Sequence, residues 1–196
     1  MKRVLVLGIV LAGLLAGTAQ ATVIEGDPSG VFQRWTDEAK IDTPPDPITV
    51  RDGAPGECGY GTEDQAAPAC AILPDGIIIT RPDFINRFSF WHELGHDFDA
   101  QVLTEEDRAR FLELIRLPGR PWDYSEPGVD IHKTSPREFF ADAYAECAAS
   151  GTDPTPPILR HVLPMKFGPT WIEGPIRWRQ ICRVIDGSLT SQAPRP

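Results

Sequence analysis

Histidine is scarce in this chain, and long apolar runs are absent beyond its N-terminus. Only 4 histidines occur in 196 residues, so two at a functional spacing are informative. After residue 15 nothing approaches the ~20 apolar residues that span a bilayer as a helix. That excludes a helical membrane protein built from the body of the chain. Basic residues are in the minority, 19 Lys and Arg against 28 Asp and Glu, which argues against nucleic acid or an anionic membrane as partner. The 4 cysteines contain no C-x-x-C pair, which argues against a cysteine-based zinc site. There are no internal repeats.

What is present begins with a segment to set aside. Lys2 and Arg3 precede an uncharged apolar run from Val4 to Leu15, and Ala19-Gln20-Ala21 has the A-x-A form of a cleavage site. Residues 1–21 are therefore expected to be a secretory signal peptide, not a membrane anchor, removed near Ala21. No cysteine directly follows the apolar run, as a lipoprotein would need. The expected mature protein is secreted or periplasmic, a monomer with no membrane contact. Removing 21 of the 196 residues leaves 175, and the loss of Lys2 and Arg3 leaves 17 basic against 28 acidic residues, a balance of −11. An even cysteine count in an exported protein points to two disulfides. Of the three pairings, Cys58–Cys70, closing a Gly/Pro-rich loop, and Cys147–Cys182, tying two C-terminal helices, are preferred.

The remaining length suits one domain. Residues 22–45 read as an N-terminal extension, 46–187 as the folded domain and 188–196 as a disordered tail. Residues 22–30 look like a flexible lead-in. Phe32 and Trp35 anchor a short helix over Val31–Ala39, which Pro44, Pro45 and Pro47 break. Ile48-Thr49-Val50, Ala69–Leu73 and Ile77–Thr80 have strand character, the last two joined by a Pro74-Asp75-Gly76 turn. Those two strands with their tight turn predict a small antiparallel-containing sheet. Asp83 is a candidate N-cap for a helix running to about Gln101, with Phe84, Phe88, Trp91 and Leu94 as core. Thr104 caps a second helix whose apolar face is Phe111, Leu112, Ile115 and Leu117. Ser135 opens a third, to about Ala149. Pro175 opens a last one, to Ile185. Strands precede helices, so the fold class is α+β.

The chemistry concentrates in Phe90-Trp91-His92-Glu93-Leu94-Gly95-His96. On a helix, His92 and His96 lie one turn apart on one face, the spacing at which two imidazoles grip one metal ion. Glu93 stands beside the first of them, where it can take a proton from water instead of binding the ion. The alternative, two histidines with no metal, is weakened by the Glu between them.

A catalytic zinc needs a third protein ligand. Glu138, in Arg137-Glu138-Phe139-Phe140-Ala141-Asp142-Ala143-Tyr144, is the best candidate. Asp142 lies one turn further along and can accept a hydrogen bond from the non-metal nitrogen of a ligand histidine. Two alternatives stay open. Ser135-x-x-Glu138 is also a capping box, which would turn the carboxylate back onto the Ser135 amide. Asp99, one turn past His96, is the other acid within reach, as third ligand, as an outer partner of the site, or as a helix contact.

His92-Glu93-Leu94-Gly95-His96-x-x-Asp99 followed by Glu138-Phe139-Phe140-Ala141-Asp142-Ala143-Tyr144 resembles the anthrax lethal factor-like catalytic domains, which are gluzincin zinc metallopeptidases. Their pattern is H-E-x-G-H with an acid three residues on, then E-F-F-A-E-A-F. The resemblance covers about a quarter of the mature chain. It implies a zincin-like fold, one Zn2+ per chain held by His92, His96 and Glu138, and Glu93 as general base. Asp142 replaces the family's second Glu and keeps its charge. The family also has a tyrosine shortly before the third-ligand helix that assists the transition state. Here Ile131-His132-Lys133 occupies that zone and Tyr124 lies upstream, so His132, or else Tyr124, is expected to hold the developing oxyanion. The metzincin pattern, H-x-x-G-x-x-H after the motif, is absent.

The expected activity is zinc-dependent hydrolysis of a peptide or protein substrate. In the related folds an edge strand beside the active-site helix aligns an extended peptide by strand addition, and Ile77–Thr80 belongs to the candidate sheet. A toxin- or effector-like protease with one protein target shares this chemistry. A secreted zinc-binding module without turnover is the reading from another class, and the intact Glu93 argues against it.

Overall fold

The computed structural model describes residues 22–53, 57–58, 68–81, 85–129, 131, 134–151 and 175–191. The expected signal peptide, Asp83, Phe84 and His132 lie outside them. The described residues form four strands and five helices: β1 (Ile24–Glu25), α1 (Val31–Asp37), β2 (Ile48–Asp52), β3 (Ala69–Ile72), β4 (Ile77–Thr80), α2 (Arg87–Gln101), α3 (Glu105–Leu114), α4 (Pro136–Ser150) and α5 (Pro175–Ser191). The class is α+β, as expected.

The sheet runs β1-β2-β4-β3. It is mixed: β3 and β4, joined by the turn, form the expected antiparallel pair, while β1 and β2, and β2 and β4, are parallel. The physical reason is α1. Parallel neighbours need a crossover, and α1 supplies one between β1 and β2. The stretch expected to be a flexible lead-in is thereby ordered. Ile24 pairs with Ile48, and Asp27 caps α1, its Oδ2 accepting hydrogen bonds from the Phe32 and Gln33 amides at 2.7 and 3.0 Å. The Ile77–Thr80 strand lies inside the sheet with Ile78, Ile79 and Thr80 buried. The edge is β3.

α2 packs against the sheet at β3, and α4 packs on α2; these are the two most buried helices. Every residue of α2 from Phe90 to Asp99 is buried, His92, Glu93, His96, Asp97 and Asp99 included. Charged side chains are rarely buried unless they are paired or hold a metal, so this helix is built around a polar purpose. Gly95 allows the close crossing: a Cβ there would stand 2.9 Å from Tyr144 Cβ and 3.0 Å from Ala141 Cα. Phe111, Trp122 and Phe140 pack edge to face or tilted, with centroids 5.3 to 5.8 Å apart, and join α3 to α4.

α2 starts at Arg87, with Asn86 as the cap, its side chain accepting from the Ser89 amide at 3.0 Å. Thr104 caps α3 as expected, and Asp107 completes a capping box. α5 continues to Ser191, so residues 188–191 are helical and not tail. Nothing after Ile185 breaks a helix except an isolated Gly187, which costs only ~1 kcal/mol. Trp178, Ile181, Cys182, Val184 and Ile185 of α5 are buried. Disulfides join Cys147 to Cys182, across α4 and α5, and Cys58 to Cys70. This is the expected pairing, and it suits an oxidising, extracellular environment. No helix among the described residues is long and apolar enough to cross a membrane.

Candidate metal centre

α2 presents His92 and His96 with ring centroids 4.9 Å apart. The first turn of α4 brings Glu138 against both. Glu138 Oε2 is 3.3 Å from His92 Nε2, and Oε1 is 3.5 Å from His96 Nε2. One ligand atom from each residue lies within 4.8 Å of the other two, and all three residues are buried. Two donors bound at ~2.0–2.1 Å to a tetrahedral ion stand ~3.3–3.4 Å apart, close to the 3.3 and 3.5 Å that the two Glu138 oxygens keep from His92 and His96. The donor set, two imidazole nitrogens and a carboxylate, is one that divalent transition metals accept. His92, His96 and Glu138 can therefore hold a metal ion.

Of the two local readings of Glu138, the capping box does not form. Ser135 is the N-cap of α4 but makes no side-chain cap hydrogen bond, and Pro136 occupies the first turn, where its missing N–H is not needed. The Glu138 carboxylate goes to the histidines instead.

Asp142, one turn along α4, has Oδ1 2.8 Å from His92 Nδ1. With the proton on Nδ1, His92 donates to Asp142 and offers the Nε2 lone pair to the Glu138 side. Burial opposes a charge on His92, but Asp142, Glu138 and Glu93 outweigh it and push the imidazole up to about 10. The cluster is a largely buried negative field, and it draws in positive charge, whether a proton or a cation. Glu93 is 7% exposed. Burial, with Glu93 nearby, also pushes Asp97 up to about 7.

A cavity of about 190 Å³ opens onto the cluster. Its lining takes in His92, Glu93, His96 and Glu138 from the helices, and Ala69, Cys70 and Ala71 from β3. Cys58 lies on the same wall, so the Cys58–Cys70 disulfide borders the cavity.

Asp99 is not part of the histidine–carboxylate cluster. It is 1% exposed and accepts hydrogen bonds from Arg108 Nε and Trp122 Nε1, both at 2.9 Å. It is a helix contact that ties α2 to α3 and to the loop after it. Tyr124 packs under the Arg120 guanidinium, 4.6 Å from the ring centroid, and does not line the cavity. One cavity residue escapes the motif: Arg137, immediately before Glu138. The available signal is a cation in the first turn of a helix, where the macrodipole disfavours it.

No protein-family model matches this chain, and no curated protein does either.

Proposed function

We propose that this chain is an exported zinc metallopeptidase of zincin type, similar to the lethal factor-like gluzincins. The observation that carries the proposal is the meeting of Glu138 with both histidines beside Glu93, in a cavity walled by an edge strand. When bound, zinc supplies Lewis acidity, bringing the pKa of water near 7 and polarising a carbonyl.

The protein's own residues do the rest. His92, His96 and Glu138 hold the ion. Asp142 fixes the His92 ring and its tautomer. Glu93 accepts a proton from the water that attacks the carbonyl carbon and passes it to the leaving amine nitrogen. Among the described residues β3 pairs with β4 on one side only, so its outer edge offers backbone N–H and C=O groups to an extended peptide. Because Ala69, Cys70 and Ala71 also line the cavity, a strand added there runs past Glu93.

The test is cleavage of a peptide library by zinc-loaded protein, read by mass spectrometry, for wild type and Glu93→Gln. Wild type cleaves. The variant keeps its zinc and loses at least ~100-fold in rate, the lower end of what a general base contributes. Full zinc occupancy with no cleavage by wild type would favour a zinc-binding module instead.

A further inference from the structure

We propose that Arg137 reads a carboxylate on the substrate, so that the preferred peptide has an acidic side chain or a free α-carboxylate next to the bond that is cut. This rests on the peptidase reading above. Three observations support it.

Arg137 is the only residue with a permanent positive charge among the described residues lining the cavity, which otherwise presents Glu93, Glu138 and the two histidines. Away from the metal ligands, its guanidinium is the lining group that attracts a peptide carboxylate, while Glu93 repels one.

Arg137 is also held in place. Its Nε lies 3.4 Å from Asp99 Oδ2 and its Nη2 lies 2.6 Å from Asp123 Oδ1. Neither contact uses Nη1, and a guanidinium has five N–H donors. Nor do these acids cancel its charge. Asp99 is shared with Arg108, and the Asp123 side chain is 69% exposed, where solvent and salt weaken its pull.

Finally, the position is unfavourable for a cation unless it has a use. Arg137 is the second residue of α4, at the positive end of the helix dipole. It pairs there with Asp99 and Asp123, and its side chain remains 37% exposed.

The test uses zinc-loaded full-length protein and matched peptide pairs: Glu against Gln at each position around the cut, and free acid against amide at the C-terminus. The Glu/Gln pairs and the acid/amide pairs separate the two sources of carboxylate. Wild type should prefer the acid member of one pair type by about ten-fold in kcat/KM, the scale of one charge-assisted hydrogen bond. In Arg137→Gln that ratio should fall to near one, while Arg137→Lys should retain part of it. The ratio separates charge reading from a merely structural role, which would lower both members together. No acid preference in wild type, or a preference unchanged in Arg137→Gln, overturns the proposal. An equal loss on both members also overturns it, and assigns Arg137 to the scissile carbonyl or to folding. Should wild type cleave nothing, the peptidase reading fails on its own. The proposal then stands or falls on binding of the same pairs to the zinc-loaded protein by calorimetry, where equal binding, or none, overturns it.

Discussion

Gly95 of α2 faces Tyr144 of α4 across a tight crossing: a methyl group at Gly95 would stand 2.9 Å from Tyr144 Cβ. The glycine between the two histidines is what lets α4 approach near enough for Glu138 to reach both. Alanine is the better helix former by ~1 kcal/mol, yet Gly95→Ala should destabilise the protein by about 1–3 kcal/mol, as overpacking does. Urea unfolding measures this. The same variant should bind zinc more weakly, because spreading the helices parts Glu138 from His92 and His96.

Asp142 stands behind His92 and touches it at 2.8 Å. Asp142→Ala should leave the helices in place but free the ring, and weaken zinc binding about 10- to 100-fold, the usual effect of losing such a partner. Competition with a chromogenic chelator reads the affinity directly.

Much of this arrangement was legible in the sequence. His92, Glu93 and His96 announce themselves because ligand spacing matches one helical turn. Asp142 follows from the same periodicity once Glu138 is chosen. The choice of Glu138 over a capping box was not settled locally, since Ser135-x-x-Glu138 satisfies both patterns, and only the packing of α4 on α2 decides it. The parallel strands were missed because β1 is two residues long and pairs with a strand more than twenty residues on. Arg137 was missed because an arginine in a first turn reads as surface charge until the cavity beside it is known.

Glu146 continues the acidic row of α4 beyond Asp142. It is 1% exposed, and its Oε1 has no hydrogen-bond partner among the described residues. Burial, and then the Asp142 charge, push it from 4.5 up to about 7. Below pH 4.5 the folded and unfolded chains both carry the proton, so Glu146 has no effect on stability. Between pH 4.5 and about 7 the unfolded chain loses it first, and stability falls. Glu146→Gln removes that dependence. It should match wild type near pH 4 and exceed it by roughly 2–3 kcal/mol at pH 8, measured by denaturant unfolding across pH.

The Cys147–Cys182 bond closes a loop with a sequence separation of 35 between α4 and α5. Chain-entropy reasoning assigns such a cross-link about 4 kcal/mol. The double variant Cys147→Ala, Cys182→Ala should lose stability on that scale. Because the bond lies at the far end of α4 from Glu138, zinc binding under native conditions should change far less than stability does.

Two histidines from α2 and one carboxylate from α4 are expected to make a single metal centre with Glu93 beside it and not in it. Zinc content after dialysis, measured by elemental analysis on wild type, Glu138→Ala and Glu93→Gln, tests this most directly. Wild type should hold one zinc per chain and Glu93→Gln one, while Glu138→Ala should lose most of it. Zinc retained at full occupancy in Glu138→Ala would contradict that assignment.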